Sequence, residues 1–208
     1  MKKLMFVAAA MLALSTVTYA AGPISFGVQA TGANLNVVDP LKEIYGFGFG
    51  GGAHLDINLP LILAIRIQGD YVTFSPDEGK YRALIAGFVP GSIASDFSID
   101  GGRINILSAN ANAKLSPLPL PIISPYLTAG VGLASLSVSD ATVKFRGNPV
   151  PGGTIPGAKS ESKFSANLGA GVDLDLIALK LYLEARYTWI FTEGSTSTYI
   201  PVSLGVTF

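Results

Sequence analysis

Apolar and polar residues alternate one by one along most of this chain. The clearest stretch places Phe164, Ala166, Leu168, Ala170, Val172, Leu174 and Leu176 on one side. Ser165, Asn167, Gly169, Gly171, Asp173 and Asp175 fall on the other. A period of two sends successive side chains to opposite faces of an extended strand. Seven further segments read the same way. The first runs over residues 24–38 and slips in parity near 33–35, which predicts a bulge there. The second spans 47–57. After the tight Asn58-Leu-Pro60 turn, a third carries Leu61, Leu63, Ile65, Ile67 and Tyr71 against Arg66, Gln68 and Asp70. The fourth covers about 103–115 with Asn110, Asn112 and Lys114 on its polar side, but Ile104 and Ile106 have the opposite parity and leave its register open. Leu127, Ala129, Val131 and Leu133 define the fifth. The sixth is the 164–176 stretch, and the tight Ile177-Ala178 turn leads into a seventh over 179–191. The eighth ends the sequence, with Ile200, Val202, Leu204, Val206 and Phe208 opposite Tyr199, Pro201, Ser203, Gly205 and Thr207.

The connections alternate too. Strands two and three, and six and seven, are joined by two or three residues, and Pro-rich 116–121 joins four and five. The longest links are about 75–101 and 139–163. Eight strands of about 9–11 residues, short turns on one rim and long polar loops on the other predict an all-β fold: an eight-stranded antiparallel up-and-down transmembrane β-barrel. Aromatic positions agree. Phe47, Phe49, Tyr71, Phe164, Tyr187, Trp189, Phe191 and Tyr199 fall near the loop rim, and Phe26, Tyr126 and Phe208 near the turn rim. Two girdles at the levels of the membrane–water interfaces are therefore expected.

A secreted, soluble eight-stranded barrel with an apolar inside is the competing architecture. Composition weighs against it. Charged residues make up 13% of the 208, too few for the exterior of a soluble barrel, and many glycines lie on the polar face, where a narrow lumen is crowded. No stretch after the N-terminus approaches a membrane helix in length.

At that N-terminus, Met1-Lys2-Lys3, an apolar run over 4–14 and Thr18-Tyr19-Ala20 form a secretory signal expected to be cut after Ala20, so residues 1–20 are assigned to the signal and 21–208 to the barrel. Removing Lys2 and Lys3 leaves 12 bases against 14 acids. No basic stripe remains for a nucleic-acid partner. The absence of cysteine excludes disulfides and thiolate chemistry.

Signal, strand pattern, loop asymmetry and terminal Phe208 together resemble the small outer-membrane β-barrel superfamily: the transmembrane domain of outer-membrane protein A, the outer-membrane protein X and W types, and the opacity-type surface antigens. The resemblance covers about 22–208. It implies a bacterial outer-membrane location with long loops extracellular and both termini periplasmic. It also implies contact with outer-membrane lipid and lipopolysaccharide, and recognition of Phe208 by the barrel-assembly machinery. The peptidoglycan-binding domain of full-length outer-membrane protein A relatives is not expected, because the sequence stops at Phe208. No surface ligand is named by it.

Asp56, Asp70, Asp173, Asp175 and Glu184 share the inward register with Arg66, Lys114, Lys180 and Arg186. Charges in a narrow lumen must be paired or hydrated, so this near-balance reads as an ion-pair network that fills the barrel. Arg66 and Arg186 sit near mid-strand, with Asp70, Asp173 and Glu184 as expected partners. The same carboxylates read less well as a metal or acid–base cluster. His54, the single histidine, has Asp56 two residues on but no His-x-Ser arrangement of the kind a lipid A-modifying enzyme needs. Glycine-rich 46–52 lacks the helix and lysine of a phosphate loop. The apolar segment 82–89 is expected to be a short capping turn, with packing over the barrel mouth, contact with lipopolysaccharide or a partner as the alternatives. The reading is therefore a non-enzymatic protein without cofactor, structural or surface-interactive in role. A narrow porin-like channel or small-hydrophobe transporter is the alternative, and a lipid A-modifying enzyme a more distant one.

Overall fold

A computed structural model of the chain describes residues 23–36, 45–59, 62–87, 93, 95–118, 120, 122–158, 160–176, 179–192 and 195–208. Residues 1–20, expected to be a signal, residue 60 of the expected first turn and residues 177–178 of another lie outside them. Eight strands close into a barrel: β1 (Ile24–Asn36), β2 (Gly48–Asn58), β3 (Leu63–Phe74), β5 (Ile104–Leu115), β6 (Ile123–Val138), β9 (Glu161–Asp175), β10 (Lys180–Thr192) and β11 (Ser195–Thr207). Their order around the barrel is β1-β11-β10-β9-β6-β5-β3-β2, and every pairing is antiparallel. The remaining strands, β4 (Phe97–Gly101), β7 (Ala141–Phe145) and β8 (Asn148–Ile155), form a separate three-stranded sheet. A helix, α1 (Glu78–Ala86), contacts β4.

Closure joins the two ends of the chain. β1 pairs with β11 from Gly27↔Thr207 to Asn36↔Thr198. Phe208 N–H donates to Phe26 O at 2.8 Å, Phe26 N–H donates back at 3.2 Å, and the two rings lie 5.6 Å apart. A closed sheet has no edge, so every ladder group can be satisfied without water. The ladder lapses between β10 and β11 at Arg186–Tyr187. Pro201 stands there and has no N–H to donate.

Burial shows which face is which. Apolar side chains such as Leu204, 61% exposed, cover the outside, while Arg66 is 1% exposed inside. A soluble barrel has the reverse arrangement.

Three expectations are corrected, and the register left open for the fourth segment is fixed. Pairing of β1 with β11 runs unbroken through residues 33–35, and that with β2 is continuous up to Ala33, so there is no bulge. Ala33 and Leu35 point into the lumen, as do Ile104 and Ile106 of β5, whose register with β3 and β6 is also continuous. The parity change in the sequence is a change in lumen chemistry: near the loop end the interior turns apolar, and these residues pack with Val72, Phe74, Ala134, Ile190 and Tyr199. Tyr199 and Tyr126 are lumen residues, 3% and 2% exposed, and not girdle members.

The third correction concerns the long links. Residues 75–101 and 139–163 hold α1 and the small sheet, in which β4 pairs with β7 and β7 with β8. Asp77 caps α1, its Oδ1 accepting from the N–H groups of Gly79 at 2.9 Å and Lys80 at 3.1 Å. Segment 82–89 is thus partly helical, with residues 88–89 outside the described set. Arg146 and Gly147 both take positive φ, 50° and 80°, the turn that joins β7 to β8 through two residues.

Candidate functional site: the barrel lumen

Because β strands alternate, each barrel strand delivers every second side chain to one narrow interior. Arg66 on β3 is the centre of its charged layer. Its Nε and Nη2 donate to Asp56 Oδ1 and Oδ2 at 2.7 and 2.8 Å, a two-pronged contact between neighbouring strands. Its Nη1 reaches Glu184 Oε2 on β10 at 3.4 Å. Arg186, also on β10, returns across the lumen to Asp70 Oδ2 on β3 at 3.1 Å, and its Nε lies 3.0 Å from Glu184 Oε1. In the closed order, β3 and β10 are four steps apart in either direction. Both links therefore span the full diameter of an eight-stranded barrel.

Lys114 on β5 donates to Asp173 on β9 at 2.7 Å and sits 4.0 Å from the centre of the Tyr126 ring. The Arg66 guanidinium lies 4.9 Å from the centre of the Tyr182 ring and 6.0 Å from that of Tyr126, cation–π contacts that add to the pairing. These tyrosines cover glycines directly opposite them in register, Tyr126 over Gly171 and Tyr182 over Gly205. A β-carbon at either glycine would run into the ring, so the inward glycines create the space the aromatics occupy.

The expected residues do not all play the expected part. Asp56 is the chief partner of Arg66, and Asp173 serves Lys114 instead of an arginine. Asp175 and Lys180 pair at 3.2 Å at the turn end, each more than a third exposed, so theirs is a rim contact. Asp56, Arg66, Asp70, Lys114, Asp173, Glu184 and Arg186 are buried together.

Sequence reasoning missed the neutral polar residues that complete this layer. Gln29 donates to Asp70 at 2.7 Å and accepts from Tyr182 OH at 3.0 Å; Gln68 also donates to Asp70, at 3.1 Å. Their inward parity marked the face but not the partner. His54 is held by Gln29 at 3.2 Å, Tyr182 OH at 3.3 Å and Thr207 Oγ1 at 3.1 Å. Asp56, which would orient it in a catalytic arrangement, is bound to Arg66.

The expected belt residues Phe47, Phe49, Tyr71, Phe164, Tyr187 and Phe191 are exposed on the outside, with Trp189 half-buried against Tyr187 at 4.8 Å between ring centres. Phe47 packs on Phe49 and Phe164 on Phe191, at 5.1 and 5.8 Å.

A closed antiparallel barrel, apolar outside and charged inside, defines an outer-membrane barrel protein. The chain belongs to the outer membrane protein beta-barrel domain family, whose sequence profile matches residues 6–208. It is a small outer-membrane protein. Among solved structures it is similar to Neisserial surface protein A, with a TM-score of 0.57 and 15% identity over 91% of this chain and 98% of that one. It is also similar to Ail, the attachment invasion locus protein of Yersinia pestis (TM-score 0.48, 14% identity, 89% and 97% covered). The N-terminal β-barrel domain of Pseudomonas aeruginosa OprF matches with a TM-score of 0.45 and 13% identity, over 88% of this chain and 97% of that one. No curated protein matches by sequence.

Proposed function

We propose that this is a non-enzymatic outer-membrane protein with a structural or surface-interaction role, its lumen closed to ions by the charged layer. The observation that carries the reading is the pair of links between β3 and β10, Arg66 to Glu184 and Arg186 to Asp70. A pore needs an open path between opposite walls, and these side chains join those walls. In planar bilayers the purified protein is expected to give no stable unitary conductance steps; reproducible steps would overturn the closed lumen. The channel or small-hydrophobe transporter remains the second reading. The apolar layer of Leu35, Val72, Phe74, Ile104, Ile106 and Ile190 at the loop end favours it, but a solute passing that layer still meets the charged one.

In this reading the loop end, with α1 and the small sheet, faces outward toward lipopolysaccharide, and both termini are periplasmic. Phe208 then serves as the residue the barrel-assembly machinery recognises. Phe208→Asp is expected to slow insertion and leave unfolded protein in the periplasm, measured as loss of the heat-modifiable folded band from outer-membrane fractions. Wild-type levels of that band would remove Phe208 from the assembly role.

A further inference from the structure

The outer surface of β3 and β5 changes chemistry over three rungs near the loop end. Tyr71 and Leu107 face each other on one rung, 49% and 58% exposed. On the rung nearer the loops Thr73 faces Asn105, and Arg103 follows, exposed, just before β5 begins. An apolar-to-polar transition of this kind on a lipid-facing wall marks the membrane–water interface. Phe49, opposite Thr73 on the other side, belongs to the same level.

A cleft of 470 Å³ opens there, lined by Tyr71, Thr73, Asp100, Arg103, Asn105 and Ser139. Its far wall is the small sheet, and its shape is fixed by the backbone. Gly101 and Gly102, at φ 85° and 66°, turn the chain from β4 into β5. Gly102 N–H then donates to Asp140 O at 2.8 Å, Arg103 N–H to Ser139 Oγ at 2.9 Å, and Ser139 N–H to Arg103 O at 2.9 Å. Arg103 is thus anchored by its backbone while its guanidinium makes no hydrogen bond or ion pair among the described residues. The carboxylate on the cleft is already taken: Lys144 Nζ holds Asp100 at 2.8 Å. That contact, with a smaller effect of Arg103 acting through space, keeps the Asp100 carboxyl below its ordinary range. Tyr71 OH donates to Asn105 Oδ1 at 2.9 Å, which leaves the Asn105 amide N–H groups and the Thr73 and Ser139 hydroxyls as donors beside the arginine.

We propose that this cleft binds the phosphate of a lipid headgroup, with Arg103 as its charged contact and the lipid's acyl chains lying along Leu107 and the apolar wall beneath. A guanidinium with hydroxyl and amide donors suits a phosphate. Continuity with the apolar wall selects a lipid over a soluble phosphate. The inference rests on the membrane placement of the barrel and is independent of whether the lumen is closed.

The test uses the purified protein in dodecyl maltoside micelles, a host that carries no phosphate, doped with lipid A, followed by native mass spectrometry of retained lipid. Wild type is expected to retain lipid A. Arg103→Ala should weaken retention about ten-fold, Arg103→Lys should restore part of it, and Arg146→Ala, an arginine paired with Asp96 on the small sheet, should leave it unchanged. Lipid A stripped of phosphate should be retained no better by wild type than phosphorylated lipid A is by Arg103→Ala. Equal retention by wild type and Arg103→Ala overturns the proposal, as does equal retention of the phosphate-free lipid. Displacement of lipid A by equimolar inorganic phosphate would overturn the choice of a lipid.

Discussion

Replacing Arg66 with alanine is expected to cost about 3–5 kcal/mol of folding free energy, because it strands two carboxylates in a buried site. Asp56 would lose both of its hydrogen bonds to the guanidinium, and Glu184 its link across the barrel. Among the described residues the buried lumen holds four carboxylates, Asp56, Asp70, Asp173 and Glu184, against the three cations Arg66, Lys114 and Arg186. Removing Arg66 therefore deepens an existing negative excess. The measurement is a urea unfolding midpoint in lipid bilayers, paired with conductance, which should rise as the link between opposite walls is lost. Leu183→Val, a lipid-facing change, should alter neither. A double variant, Arg66→Met with Asp56→Leu, should recover much of the lost stability, since an apolar pair of similar volume often replaces a buried ion pair at little cost. Should Arg66→Ala behave like Leu183→Val in both assays, the charged layer does not close the lumen.

Leu204→Arg should destabilise the inserted barrel by about 2–4 kcal/mol, the cost of a cation on the lipid face near the bilayer midplane. Leu204 lies between Ala30 of β1 and Leu183 of β10, well inside β11, and its side chain points away from the lumen. Among the described residues nothing on that wall supplies a counter-charge, and the arginine can escape only by reaching toward an interface. The same substitution on a soluble barrel would place a charge in water at almost no cost. Equilibrium folding into bilayers measures the difference, and a neutral Leu204→Arg would contradict a lipid-facing exterior.

The eight barrel strands were legible because alternation is a local property. Residues 164–176 and 199–208 declare two faces without reference to any neighbour, and the short links at Asn58 and at 177–178 set strand next to strand. The same locality explains the errors. Apolar parity does not distinguish a side chain packed against lipid from one packed against other apolar groups in the lumen. Ala33, Leu35, Ile104 and Ile106 therefore looked like a slipped register when they are interior residues of an unbroken one. Tyr126 and Tyr199 have the position along the strand of belt residues but the parity of lumen residues, and the parity decides.

Fold class and the polar face follow from the sequence by itself, since strand period and the scarcity of charge are set residue by residue. Partner choice belongs to the tertiary structure. Arg66 meets Glu184 only because closure brings β3 and β10 face to face, and Lys114 meets Asp173 only because β6 alone lies between their strands. The small sheet depends on the same geometry: β7 and β8 pair locally through their two-residue turn, but β4 comes from a different link and has no pairing partner until the barrel sets it beside β7. Pairings between residues far apart in sequence depend on where closure places whole strands, and no local pattern encodes that.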